Sequence, residues 1–153
     1  MSDYRATVDW RLEGEFKYAT YSRAHGIDFG HGLQLPGNAG QGNVPKTVQW
    51  KPGADPEQQF VASLSTCHML WFLHLAHDAK LVVEHYRDEA SGVLAKNAEG
   101  RLAMTRVTLR PVVTFSGANP AAEQFAQLHH DTHERCFIAN SVRTEIILEP
   151  RIG

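Results

Sequence analysis

The chain has 153 residues, 42% of them apolar and 21% charged. That is enough for one domain with a sizeable core, and the composition excludes a disordered chain, a collagen-like repeat or a coiled coil. Fifteen Lys and Arg against seventeen Asp and Glu leave a net charge of −2, which offers no pull toward phosphate backbones or anionic lipid. No nucleic-acid or membrane partner is therefore expected.

The opening residues, MSDYRATVDW, lack a basic segment followed by an apolar run, so they do not read as a secretory leader, and a cytoplasmic location is expected. The most apolar stretch, Phe60 to Ala76, is interrupted by Ser63, Ser65, Thr66, His68 and His74, which argues against a membrane span. Residues 4–35 read as a small antiparallel meander. Ala6, Val8 and Trp10 alternate with polar residues, Phe16, Tyr18 and Thr20 do so again, and a third run from Ile27 to Leu35 is broken by Gly30 and Gly32. Residues 36–54 hold three of the seven prolines and predict a long loop with one short strand near Thr47 to Trp50.

Asp55-Pro56-Glu57 is a strong helix start: Asp55 caps, Pro56 suits the first helical position, and Glu57 faces the positive end of the dipole. The helix is predicted to run to about Asp78. Leu64, Cys67, Met69, Leu70, Trp71, Phe72, Leu73 and Leu75 surround it instead of lining one stripe. A helix apolar on nearly all sides must be covered on nearly all sides, so a second subunit is expected to cover part of it. Two strands follow, Leu81 to Gly92 and Leu102 to Phe115, with a turn near Asn97 to Gly100. Asn119-Pro120 opens a second helix ending around Cys136, and a last strand runs from Ser141 to Pro150. Strands separated by two lone helices predict an α+β fold, and without a composition shift or an internal repeat the reading is a single domain over residues 1–153. No Gly-rich phosphate loop or dinucleotide fingerprint is present, and no cofactor is called for.

The candidate chemistry lies in Cys67 and Cys136. They are 69 residues apart, a spacing that is neither a CxxC redox pair nor a zinc knuckle. In a reducing compartment they read as reactive or simply buried. Reactivity needs a thiolate and so a nearby positive charge. Cys67 is too far from its helix N-terminus for the dipole to supply it. His129 and His133 are four apart on the second helix, His130 and His133 three apart, and Cys136 continues that face. A His/Cys metal site is conceivable there, but surface or interface histidines are the plainer reading.

Asp55-Pro56-Glu57 with a Cys ten residues after the Glu, and Cys136-Phe137-Ile138-Ala139-Asn140-Ser141-Val142-Arg143-Thr144-Glu145-Ile146 running into a terminal strand, resemble the OsmC/Ohr superfamily of thiol peroxidases over nearly the whole chain. The resemblance implies an α+β, OsmC-like intertwined homodimer, with antiparallel sheets packed around two long central helices. It implies that Cys67 reduces a small-molecule organic hydroperoxide and becomes a sulfenic acid. Cys136 then resolves it to a disulfide, and a thiol or dithiol reductant resets the pair. It further implies an activating arginine held by the glutamate at the helix start, here Glu57. Arg23, after the second predicted strand, is the matching candidate; the alternative position, just before the Pro-Glu motif, offers only Lys46 and Lys51. Within one chain, a single guanidinium could contact both Glu57 and Cys67 only if the helix kinks or splits between them; the other arrangement takes Arg23 and Glu57 from a different subunit than Cys67. His68 and Phe137 follow the two cysteines where the best-known branches carry an aromatic residue and a proline. The alternative function is a non-peroxidase relative binding an apolar ligand or a metal at the dimer groove.

Overall fold

The computed structural model describes all residues, 1–153. The chain forms two compact units, Met1–Gln59 and Phe60–Gly153. The fold class is α+β: two helices and nine short strands in three sheets.

In the first unit, β1 (Thr7–Asp9), β2 (His25–Asp28) and β3 (Gln34–Gly37) form an antiparallel three-stranded sheet. The third predicted run, Ile27 to Leu35, is thus a hairpin. Its tip, Gly30-His31-Gly32, has φ of 81°, 53° and 81°, a left-handed stretch that two glycines make inexpensive. The predicted strand around Phe16 to Thr20 does not form. Tyr21 N–H bonds back to the Lys17 carbonyl, the Thr20 hydroxyl to that of Glu15, and Phe16 packs with Trp10 and Tyr21, centroids 6.0 and 5.0 Å away. The alternating aromatics there build a local cluster, not a sheet face. The strand predicted near Thr47 to Trp50 is a turn, closed by a bond from Val48 N–H to the Pro45 carbonyl.

Helix α1 (Pro56–Asp78) follows its prediction closely. Asp55 Oδ1 accepts from Gln58 N–H at 2.7 Å while Gln58 Oε1 accepts from Asp55 N–H at 3.3 Å, a reciprocal cap that satisfies two otherwise orphaned donors.

In the second unit each long predicted strand is divided between two sheets. Leu81 to Gly92 becomes β4 (Val82–Asp88) and β5 (Ser91–Lys96), and Leu102 to Phe115 becomes β6 (Leu102–Leu109) and β7 (Pro111–Ser116). The breaks share one corner. Arg110 N–H donates to Asp88 Oδ1 at 2.6 Å, the Arg110 side chain reaches Glu149 and Ser91, and Pro111 has no N–H for a continuous ladder. The last predicted strand likewise divides, into β8 (Glu145–Leu148) and β9 (Arg151–Ile152). The sheets are ordered β4-β7-β9 and β5-β6-β8, antiparallel in the first pairing of each and parallel in the second. Helix α2 (Ala122–Arg135) completes the unit.

Two apolar clusters lie along α1. Leu64 packs with Val107 and Leu109; Phe72 and Ala76 pack with Val113, Phe115, Phe125 and Leu128. The buried stripe of α1 is Leu64, His68, Phe72 and Ala76, every fourth residue. Within one chain the other apolar residues stay at least partly open, Leu70 being 59% exposed.

Candidate active site

Between the two clusters α1 presents Cys67, half-buried, toward Cys136, which caps the C-terminal end of α2 and is 1% exposed. Both are free thiols. The chain turns at Cys136: its N–H reaches the His133 carbonyl at 3.2 Å and its own carbonyl accepts from Asn140 N–H at 3.0 Å, starting the short 3-10 turn Ala139–Ser141. Burial foremost, then a hydrogen bond to Cys67, pushes the Cys136 thiol up to about 11, although the N–H groups of Ala139 and Ile138 pull the other way. Cys136 therefore keeps its proton at neutral pH. The structure makes the two predicted cysteines neighbours, Cys67 half-buried and Cys136 buried.

Beside Cys67 lies an open cavity of about 310 Å³ lined by Cys67, Leu70, Trp71, His74 and Phe137. Trp71 stands edge-on to Phe137, centroids 5.4 Å apart at 89°. Of the apolar ring around the helix, Phe72 is core, whereas Leu70 and Trp71 form the wall through which a reagent would reach the sulfur.

Arg23 and Glu57 lie in the first unit and line one cavity of about 520 Å³ with Trp10, Phe16 and Tyr21. They make no ion pair. The guanidinium donates instead to the Tyr21 and Tyr18 carbonyls at 2.6 and 2.8 Å and lies over the Tyr21 ring at 3.7 Å, a cation–π arrangement. Because α1 is unbroken from Pro56 to Asp78, Glu57 and Cys67 of one chain are about 15 Å apart along its axis. No single guanidinium spans that, so the kink that would let one arginine touch both within a chain is absent.

The histidines differ most from their sequence reading. His129, read as a surface or interface residue, is 2% exposed, and His68 is 1% exposed. His68 Nε2 and His129 Nδ1 are 3.0 Å apart. The rings lie within 6° of parallel with centroids 5.3 Å apart, which is the bond plus one ring radius at each end. The imidazoles therefore meet head-on in one plane, one donating and the other accepting. Burial foremost, then the neighbouring His133, lowers His68 to about 4, and burial followed by His68 lowers His129 to about 3, so the pair is neutral near pH 7. No three His, Cys, Asp or Glu side chains converge. His130 is exposed, and His133 is half-buried with an unpartnered Nδ1. The i, i+4 spacing of His129 and His133 drew attention to metal binding, whereas the informative pairing, 61 residues apart in sequence, carries no sequence signal.

The profile of the OsmC-like protein family matches residues 49–151. Among solved structures, an OsmC-like protein of unknown function from Vibrio cholerae O1 biovar El Tor is 42% identical with a TM-score of 0.92, over 98% of this chain and 99% of that one. An organic hydroperoxide resistance protein from Elizabethkingia anophelis shares the fold at 18% identity and a TM-score of 0.67, over 100% and 96% of the two chains. The organic hydroperoxide resistance protein OhrB of Bacillus subtilis does so at 20% and 0.62, over 98% of each. No curated protein matches the sequence. No helix is long and apolar enough to cross a membrane.

Proposed function

From the premise that this chain belongs to the OsmC-like protein family, we propose that it is a thiol-dependent peroxidase for organic hydroperoxides, acting in the cytoplasm as a single OsmC-like domain over residues 1–153. The observation that carries this reading is the meeting of an accessible Cys67, at an apolar cavity, with a buried and protonated Cys136.

The Cys67 thiolate attacks the outer oxygen of the hydroperoxide. An S–O bond forms as the O–O bond breaks, and the departing alkoxide takes a proton to become an alcohol. The Cys67 sulfenic acid then condenses with the Cys136 thiol, giving a disulfide and water. A dithiol supplies the two electrons and two protons that restore both thiols.

In this reading the protein is a homodimer, supported by the apolar faces of α1 that one chain leaves open. Arg23 and Glu57 serve the Cys67 of the other copy, because an unbroken helix separates Glu57 from the Cys67 of its own chain. About one equivalent of an organic hydroperoxide should convert both thiols to one intrachain disulfide, read by native mass spectrometry as a dimer with one disulfide per chain. A protein that keeps two free thiols under organic and hydrogen peroxide alike is not a two-cysteine peroxidase.

Arg23→Ala should slow peroxide attack by Cys67 at least tenfold, while Lys46→Ala and Lys51→Ala leave it within about twofold. A guanidinium offers a planar fork of donors to a carboxylate and a thiolate together, and an ammonium does not. Stopped-flow oxidation of the three variants checks this; an Arg23→Ala rate equal to wild type removes Arg23 from the site.

A further inference from the structure

We propose that the buried His68–His129 hydrogen bond is a positioning device for the resolving step, holding the helix that carries Cys67 at the spacing that lets Cys136 reach it. This rests on the two-cysteine reading above, in which neither histidine has a part.

The pair ties together the two elements that bear the sulfurs. His68 follows Cys67 on α1 and occupies the buried stripe between Leu64 and Phe72. His129 lies seven residues before Cys136. Seven residues are close to two full turns, so His129 and the cap residue project from nearly the same side of α2. The bond is the one side-chain hydrogen bond joining α1 to α2.

His129 is also packed against two aromatic rings. The Phe72 ring stacks on it, centroids 4.4 Å apart at 22°, and the Phe125 ring stands nearly perpendicular to it, centroids 4.6 Å apart at 82°. Buried and packed against two rings, the imidazole is held in place, and the bond to His68 links it to α1. An apolar contact at the same place would resist separation of the helices but would tolerate sliding. A head-on N–H···N bond weakens steeply with angle and distance, so it sets a register. Register matters here because a disulfide tolerates only a narrow range of sulfur and Cβ geometry. His129 Nε2 and Thr132 Oγ1 are buried without a partner on the same helix. That is an unfavourable arrangement for a purely stabilising core, and it places the value of the imidazoles in the bond they make.

Side-chain amides provide an atom-by-atom test. An Asn amide places a polar atom where His Nδ1 stands, and a Gln amide places one where His Nε2 stands. At position 129, where Nδ1 makes the bond, Asn should restore function and Gln should not. At position 68, where Nε2 makes it, the order should reverse. The measurement is the equilibrium between the Cys67–Cys136 disulfide and a defined dithiol/disulfide buffer, with no peroxide present. His129→Gln, His129→Phe and His68→Asn should each lower the equilibrium constant for disulfide formation about tenfold, near 30 mV for this two-electron couple. His129→Asn and His68→Gln should stay within about threefold of wild type. Far-UV circular dichroism identifies any variant that fails to fold, and the Asn and Gln forms at each position, matched in polarity, still decide the matter if the Phe form does not fold.

Equal constants for Asn and Gln at both positions overturn the proposal, as does a constant unchanged in every folded variant. The redox equilibrium is independent of peroxide chemistry, so a protein inert to hydroperoxides would refute the peroxidase reading without deciding this one. In an active enzyme the same variants should leave the rate of Cys67 oxidation within about twofold and lengthen the lifetime of its sulfenic acid, trapped with a carbon nucleophile.

Discussion

Lowering the pH from 7 to 4 should cost the folded protein several kcal/mol, and removing two imidazoles should abolish most of that loss. In the unfolded chain a histidine titrates near 6.5. In the folded chain burial holds His68 near 4 and His129 near 3. Above pH 6.5 both states are neutral at these positions and the pair makes no difference. As the pH falls below 6.5 the unfolded chain takes up protons that the folded chain refuses, so stability drops. The decline continues until the folded pair is itself protonated, near pH 4 and then 3. The shift at His68 alone corresponds to roughly 3 kcal/mol. Urea denaturation at a series of pH values measures the decline. The double variant His68→Gln/His129→Asn keeps an amide hydrogen bond in the same place but cannot titrate, so its acid limb should be flatter by about that amount. Identical slopes for wild type and double variant would show that the pair does not set the acid limit.

Replacing Cys67 with serine should abolish peroxide consumption, whereas replacing Cys136 with serine should leave a single turnover. The asymmetry follows from placement. Cys67 opens onto the cavity of Leu70, Trp71, His74 and Phe137. Cys136 is buried, and its proton is retained by burial and by the hydrogen bond to Cys67. A hydroperoxide therefore meets Cys67 first, and a thiol that holds its proton is a poor nucleophile toward peroxide. In Cys136→Ser the first oxidation proceeds, but no second thiol condenses with the sulfenic acid, which persists or advances to sulfinic acid under excess peroxide. Mass spectrometry separates the outcomes: one oxygen added, then two, for Cys136→Ser, and no oxygen at residue 136 for Cys67→Ser. Oxidation of Cys136 in the Cys67→Ser protein at the wild-type rate would reverse the assignment of the two roles.

What the amino-acid order determined by itself is largely local. Asp55, Pro56 and Gln58 place the start of α1 because capping and φ preference act over a few residues. The all-round apolar character of α1 marked it as central, and the two cysteines stood out as residues either reactive or simply buried. The OsmC-like resemblance came from the same residues, and the family comparison agrees with it. Tertiary structure decided whatever depends on which distant groups meet. The long β segments divide at Arg110 because Asp88, Ser91 and Glu149 converge there from other parts of the chain. Alternation alone reads straight through such a corner, since its period is blind to a change of sheet. Phe16 and Tyr18 alternate like a strand but belong to a region where aromatic packing replaced pairing. Arg23 was the candidate partner of Glu57, and within one chain the fold gives its donors to the Tyr18 and Tyr21 carbonyls instead. The sequence reading places His129 at the surface or an interface and gives His68 no partner. Only the fold supplies the partner that lets each be buried, because the cost of desolvating an imidazole is offset by a hydrogen bond whose other half lies on another helix.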